Sequence, residues 1–141
     1  MARNVFLSFV EEDISSANFF RGQAKNPRNP LEFSDYSVKE AFNSAKADYI
    51  KSGITKLIKR ASVTICLIGR STYKSKWVDW EINKSGELQK GILGVRLHSD
   101  VLSKLLTTIP SALKSVSAPI LDWNAELIVE AIEKAAKQAG Y

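Results

Sequence analysis

At 141 residues and 15.7 kDa the chain has room for one core of ordinary size and not for two. With 45% hydrophobic and 25% charged residues, and only 7 Gly and 4 Pro, it is neither intrinsically disordered nor collagen-like. Its net charge of +5 is uneven: the stretch from Lys39 to Arg96 holds 12 basic and 5 acidic residues, and the rest is slightly acidic. The excess has no arginine-rich tract and no aromatic–basic interleaving, so a solvated basic face is expected and a nucleic-acid partner is not. No apolar run is long enough for a membrane span, and no secretory signal pattern opens the chain. A single Cys and a single His make neither a disulfide nor a conventional zinc site. The expectation is one cytoplasmic domain over residues 1–141, with no metal and no membrane contact.

In chain order, Arg3 to Val10 (RNVFLSFV) reads as a first strand, apolar on both faces except for Ser8, as in a parallel sheet covered by helices. Asp13 or Ser15 is placed to cap a helix carrying Ile14, Ala17 and Phe20, which must end before the Asn26-Pro27-Arg28-Asn29-Pro30 turn cluster. Leu31 to Tyr36 is a shorter second strand. From Lys39 to Arg60 the spacing of Phe42, Ala45, Tyr49, Ile54, Leu57 and Ile58 predicts a long amphipathic helix, weakened at Gly53, with Lys56, Lys59 and Arg60 in its last turn. Ser62 to Gly69 (SVTICLIG) is a β-branched, buried strand in which Cys66 serves as a small hydrophobe.

Ser75 can cap a helix over Lys76 to Lys90, with Val78, Ile82, Ser85 and Gln89 forming its sheet-facing stripe. Gly91 to Leu97 is a fourth strand. His98 to Ser117 is polar and irregular, with a short helix at Val101 to Leu106 and His98 at the surface. Pro119 to Trp123 is a fifth strand, and Asn124 caps a last helix bearing Leu127, Ile128, Ala131, Ile132 and Ala135. This alternation predicts an α/β fold: a flavodoxin-like three-layer sandwich with a five-stranded parallel sheet in the order 2-1-3-4-5. Such sheets bind ligands beyond the carboxyl ends of the strands, where the order reverses. Here that rim carries Phe9-Val10-Glu11, Ser34-Asp35-Tyr36, Gly69-Arg70-Ser71 and the start of the helix bearing Trp77 and Glu81.

Dinucleotide-fold and phosphate-loop glycine motifs, HExxH and the nucleophile elbow are all absent. Glu11, Glu12 and Asp13 resemble the acidic cluster of a phosphoacceptor domain, yet the third strand ends Cys66-Leu67-Ile68-Gly69 with no carboxylate to accept the phosphate. Glu81 lies about 60° around the helix from Val78, on the margin of the stripe. Two readings of it stay open on geometry: a functional carboxylate, or a surface residue paired with Lys84.

A first strand VFLSF leading to an acidic cluster, a third strand SVTICLIG, and then S-x-x-Y-x-x-S-x-W-V-x-x-E resemble TIR domains, in particular the bacterial TIR-like branch of Thoeris anti-phage defence. Trp77 to Glu81 matches that family's W-x-x-x-E. The resemblance implies that Glu81 is catalytic, that the substrate is NAD (no separate cofactor being needed), and that Ser8, Phe9, Asp35, Ser71, Trp77 and Trp80 line the pocket. Arg70, Lys74 and Lys76 are candidates to meet the pyrophosphate. It further implies a cyclic ADP-ribose isomer as a diffusible signal to a separate effector, a phage-derived trigger, and self-association. The Pro- and Gly-bearing loop that many TIR domains carry after the second strand has no counterpart between Leu31 and Gly53. The alternatives are a non-enzymatic TIR interaction module and a small nucleotide-binding sensor.

Overall fold

Apolar runs long enough for strands, separated by helix-period segments, give the computed structural model its layers; it describes residues 3–23, 31–35, 41–98 and 100–141. The strands are β1 (Arg3–Ser8), β2 (Leu31–Ser34), β3 (Val63–Ile68), β4 (Gly91–Arg96) and β5 (Ile120–Asp122). They form one parallel sheet in the order β2-β1-β3-β4-β5, as expected from the sequence. The helices are α1 (Ile14–Gln23), α2 (Ala47–Arg60), α3 (Lys76–Glu87), α4 (Val101–Leu106), α5 (Ser111–Ser115) and α6 (Ala125–Gln138). Because β1 has β2 on one side and β3 on the other, the strand order reverses at the carboxyl ends of β1 and β3.

The period of two along β1 decides which layer each side chain meets. Val5, Leu7 and Phe9 face Ala17 and Phe20 of α1 and Ile128, Ile132 and Ala136 of α6. Phe6 faces Ala47, Ile50, Ile54 and Ile58 of α2. On β3, Cys66 and Ile68 meet Val78 and Ile82 of α3 and Leu113 of α5. Ser8 is the next residue on the Phe6 face and pairs with Cys66 across the ladder, so it points toward the α2–α3 layer.

The glycines that weaken β4 as a sequence pattern are there for close approach. A Cβ at Gly91 would stand 2.8 Å from the carbonyl oxygen of Ala135 in α6, and one at Gly94 would stand 2.6 Å from Ile120. Capping follows expectation at two helices: Ser75 accepts from the Val78 N–H at 3.1 Å, and Asn124 from the Leu127 N–H at 3.1 Å.

Several boundaries differ from the sequence reading. Neither Asp13 nor Ser15 caps α1; a 3-10 turn over Glu11–Asp13 runs directly into it. The helix expected from Lys39 begins at Ala47, since Ala41 to Lys46 forms successive tight turns, Ser44 N–H to Ala41 and Ala47 N–H to Ser44. Residues 36–40 lie outside the described residues, as does the 24–30 segment that contains the Pro-Asn turn cluster. α3 ends at Glu87, and Gln89 adopts a left-handed φ of 59°, so Gln89 leaves the sheet-facing stripe and is exposed. The irregular stretch after His98 contains α4 as expected, and also α5, which was not. Among the described residues no helix is long and apolar enough to cross a membrane.

Candidate active site

Glu81 is fully buried, although the helix wheel puts it on the margin of the stripe. Its Oε1 accepts a 2.7 Å hydrogen bond from the Ser8 hydroxyl at the carboxyl end of β1. One turn further along α3, the Ser85 hydroxyl donates to the Glu81 carbonyl at 2.8 Å and lies 2.7 Å from the Thr64 hydroxyl of β3. The buried face of α3 therefore carries polar positions at 81 and 85, matched by polar positions on the two strands beneath. Burial takes hydration from a carboxylate, and the Ser8 donor replaces part of it. The surface pairing considered for Glu81 goes elsewhere: Lys84 bridges Glu87 at 2.9 Å. Ser8→Ala removes a buried donor and leaves Oε1 to its remaining surroundings; a loss of about 1–3 kcal/mol is expected in urea unfolding.

Aromatic side chains cluster on the turn of α3 that precedes this carboxylate. Trp77, one turn before Glu81 and only 8% exposed, stands edge-on to Phe42 at 5.1 Å and 77°. A second ring beside it is that of half-buried Trp80, at 6.3 Å and 82°. The Ser75 cap fixes the start of α3, and with it the height of both tryptophans above the sheet.

The structure does not gather all the other sequence candidates around Glu81. Phe9 is buried in the α1–α6 layer, on the opposite face of β1 from Ser8. Asp35, just after β2, is ion-paired with Arg21 of α1. Ser71 sits half-buried ahead of a 3-10 turn at Thr72–Lys74, where buried Thr72 accepts from the Gly69 N–H at 2.8 Å. Arg70, Lys74 and Lys76 are exposed on that same loop and at the start of α3. Cys66 is fully buried and His98 exposed, as the sequence suggested. Sequence reasoning passed over Thr64 and Ser85 as site neighbours. A polar residue inside an otherwise apolar strand, the mark that Ser8 and Thr64 share, is the signal that could have found the first.

The acidic turn after β1 meets the end of β3. The Asp13 carboxylate lies against Gly69, where an added Cβ would fall 2.3 Å from Oδ2. Burial first, and then the charge of Glu12, hold the Asp13 pKa above its ordinary value, with His98 acting weakly the other way. A raised folded-state pKa means that the fold binds this proton more tightly than the unfolded chain does. Stability linked to Asp13 is thus gained as pH falls from the raised value toward the ordinary 3.8, and lost as pH rises through it. Asp13→Asn should raise the Tm at pH 7, and that advantage should vanish once the pH is low enough to protonate Asp13 in both folded and unfolded chains.

The fold and this site define a flavodoxin-like α/β domain whose buried carboxylate lies under the edge where strand order reverses. Residues 6–101 match the family described as Thoeris protein ThsB, TIR-like domain, and the chain belongs to that family. It is 30% identical over 103 residues to "Putative cyclic ADP-D-ribose synthase ThsB1" of Bacillus cereus (strain MSX-D12), a match covering 70% of this chain and 54% of that protein. The chain thus spans about half the length of that curated relative. Among solved structures, the TIR domain heterodimer of RPS4 and RRS1 superposes with a TM-score of 0.54 at 16% identity, covering 99% of this chain and 98% of the other. A Burkholderia pseudomallei protein, titled "Putative pilus assembly-related protein", gives a TM-score of 0.54 at 14% identity over 99% and 92% of the two chains. At these identities the structural likenesses speak to the fold alone.

Proposed function

We propose that this domain cleaves NAD at the nicotinamide–ribose bond and closes the ADP-ribosyl group into a cyclic isomer, a diffusible signal that switches on a separate effector in anti-phage defence. The observation that carries the reading is the Glu81–Ser8 pair, a carboxylate held by the first strand at the switch point, in a chain related to a protein named "Putative cyclic ADP-D-ribose synthase ThsB1".

Nicotinamide departs from a pyridinium as a neutral molecule, taking the electron pair of the C1′–N bond, so no general acid is needed to protonate the leaving group. Only one role of the usual glycosidase carboxylate pair remains: stabilising the cationic ribose. Glu81 supplies that charge, and Ser8 holds its orientation. Trp77 and Trp80 offer faces for the nicotinamide ring. Arg70, Lys74 and Lys76 are the cations available to the pyrophosphate. The C1′ cation is then captured by an adenine nitrogen, or by a ribose hydroxyl that gives up its proton, provided water is kept out; with water admitted, ADP-ribose forms instead. A phage-derived trigger and contact with further copies of the domain complete this proposal.

The test is incubation with NAD, alone and with lysate of phage-infected cells, followed by separation of nicotinamide and product by chromatography and mass spectrometry. A cyclic product at the mass of NAD less nicotinamide supports the reading. Absence of nicotinamide under every trigger, with the protein folded, overturns it. One observation favours the interaction-module alternative: α4 exposes Val101, Leu102, Leu105 and Leu106, each more than half accessible. Self-association that ignores Glu81, with no nicotinamide released, would select that second reading.

A further inference from the structure

α2 and α3 hold an ammonium group against the aromatic cluster that precedes Glu81 on α3. Lys51, in the second turn of α2, places its Nζ 4.3 Å from the ring centroid of Phe42 and 5.8 Å from that of Trp80. Phe42 packs on Trp77, and Trp77 on Trp80, so the ammonium caps an aromatic cluster that begins one helical turn from Glu81. Lys84 also approaches Trp80, at 5.7 Å, but it is tied to Glu87 at 2.9 Å. Lys51 forms no salt bridge within the described residues. The negative ring faces are what hold it, and they attract any cation of fitting size.

We propose that Lys51 is an internal stand-in for the cationic ring of the substrate: a pyridinium displaces its ammonium from the Phe42 and Trp80 faces, so that Lys51 competes with the nicotinamide end of the dinucleotide for this aromatic cluster. The inference rests on the NAD reading of the Glu81 site. Its physical basis is an exchange of like for like. An incoming pyridinium keeps the cation–π stabilisation and sends a strongly hydrated ammonium back to water, where it loses little. A neutral dihydropyridine displaces the same ammonium without replacing its charge. Lys51 therefore competes with either form of the dinucleotide, and its removal strengthens binding. A lysine that instead contacted the pyrophosphate would have the opposite effect when removed, and the sign of the change separates the roles.

The experiment compares wild type, Lys51→Met, which keeps the stem and loses the charge, and Lys51→Arg, which keeps a cation. Steady-state kinetics give KM and kcat for NAD; calorimetry gives Kd for the N-methylnicotinamide cation and for the reduced dinucleotide. Lys51→Met is expected to lower KM for NAD and Kd for the pyridinium probe by roughly three- to tenfold, the effect falling on KM rather than kcat. The reduced dinucleotide displaces the same ammonium, so its affinity should gain by a similar factor, and Lys51→Arg should show no gain. Weaker binding of either dinucleotide in Lys51→Met, or no change, would overturn the proposal. If no variant releases nicotinamide, the NAD-cleavage reading fails on that result, and the pyridinium Kd still decides the role of Lys51.

Discussion

Glu81→Gln is expected to cut nicotinamide release from NAD by at least about a hundredfold while the protein stays folded, the scale on which single preorganised electrostatic groups act. The substitution keeps the size of the side chain and an oxygen that can still accept from Ser8, which sits 2.7 Å from Oε1. What it removes is the negative charge that the ribose cation needs. Because the Ser8 hydrogen bond and the side-chain volume are both kept, the variant should still unfold in one cooperative transition. A large fall in activity with that transition retained separates loss of chemistry from loss of structure. Activity within a few-fold of wild type would mean that Glu81 is a buried structural carboxylate and no more.

Phe6→Ala is expected to cost about 3–5 kcal/mol in urea unfolding, a large share of the roughly 5–15 kcal/mol that holds a domain together. Phe6 is fully buried beneath Ala47, Ile50, Ile54 and Ile58, and it is the β1 residue in the cluster that seats α2 against the sheet. It also lies two residues before Ser8 on the same face, so loosening α2 should disturb the aromatic cluster that precedes Glu81 on α3. A loss below about 1 kcal/mol would show that α2 collapses into the space, and that its packing does not depend on this ring.

The fold was legible because its signals were redundant. β1 and β3 are apolar on both faces, and the helical stretches between strands leave few ways to arrange a parallel sheet other than the observed order. The site was legible in part. Ser8, a pocket candidate by the family resemblance, does meet Glu81. The depth of Glu81 was not legible, because a helix wheel weighs apolar residues. Positions 81 and 85 are buried by virtue of polar partners on β1 and β3, a pairing that no local period records. Phe42 and Ala45 matched a helical spacing, yet the chain there forms turns that let Phe42 meet Trp77. Asp13 carried the residue type of a cap, but its place is set by Gly69, more than fifty residues away. α5 is five residues long, too short to show any period.

Soaking NAD into crystals of the Glu81→Gln variant, which should bind the substrate and spare it, probes the geometry at the reacting atom. The account predicts density for the nicotinamide ribose at the carboxyl ends of β1 and β3, with C1′ about 3–3.5 Å from the side chain at position 81 and the nicotinamide ring against the tryptophans of α3. A dinucleotide bound with its ribose remote from position 81 in its own subunit and in every neighbouring one would contradict it.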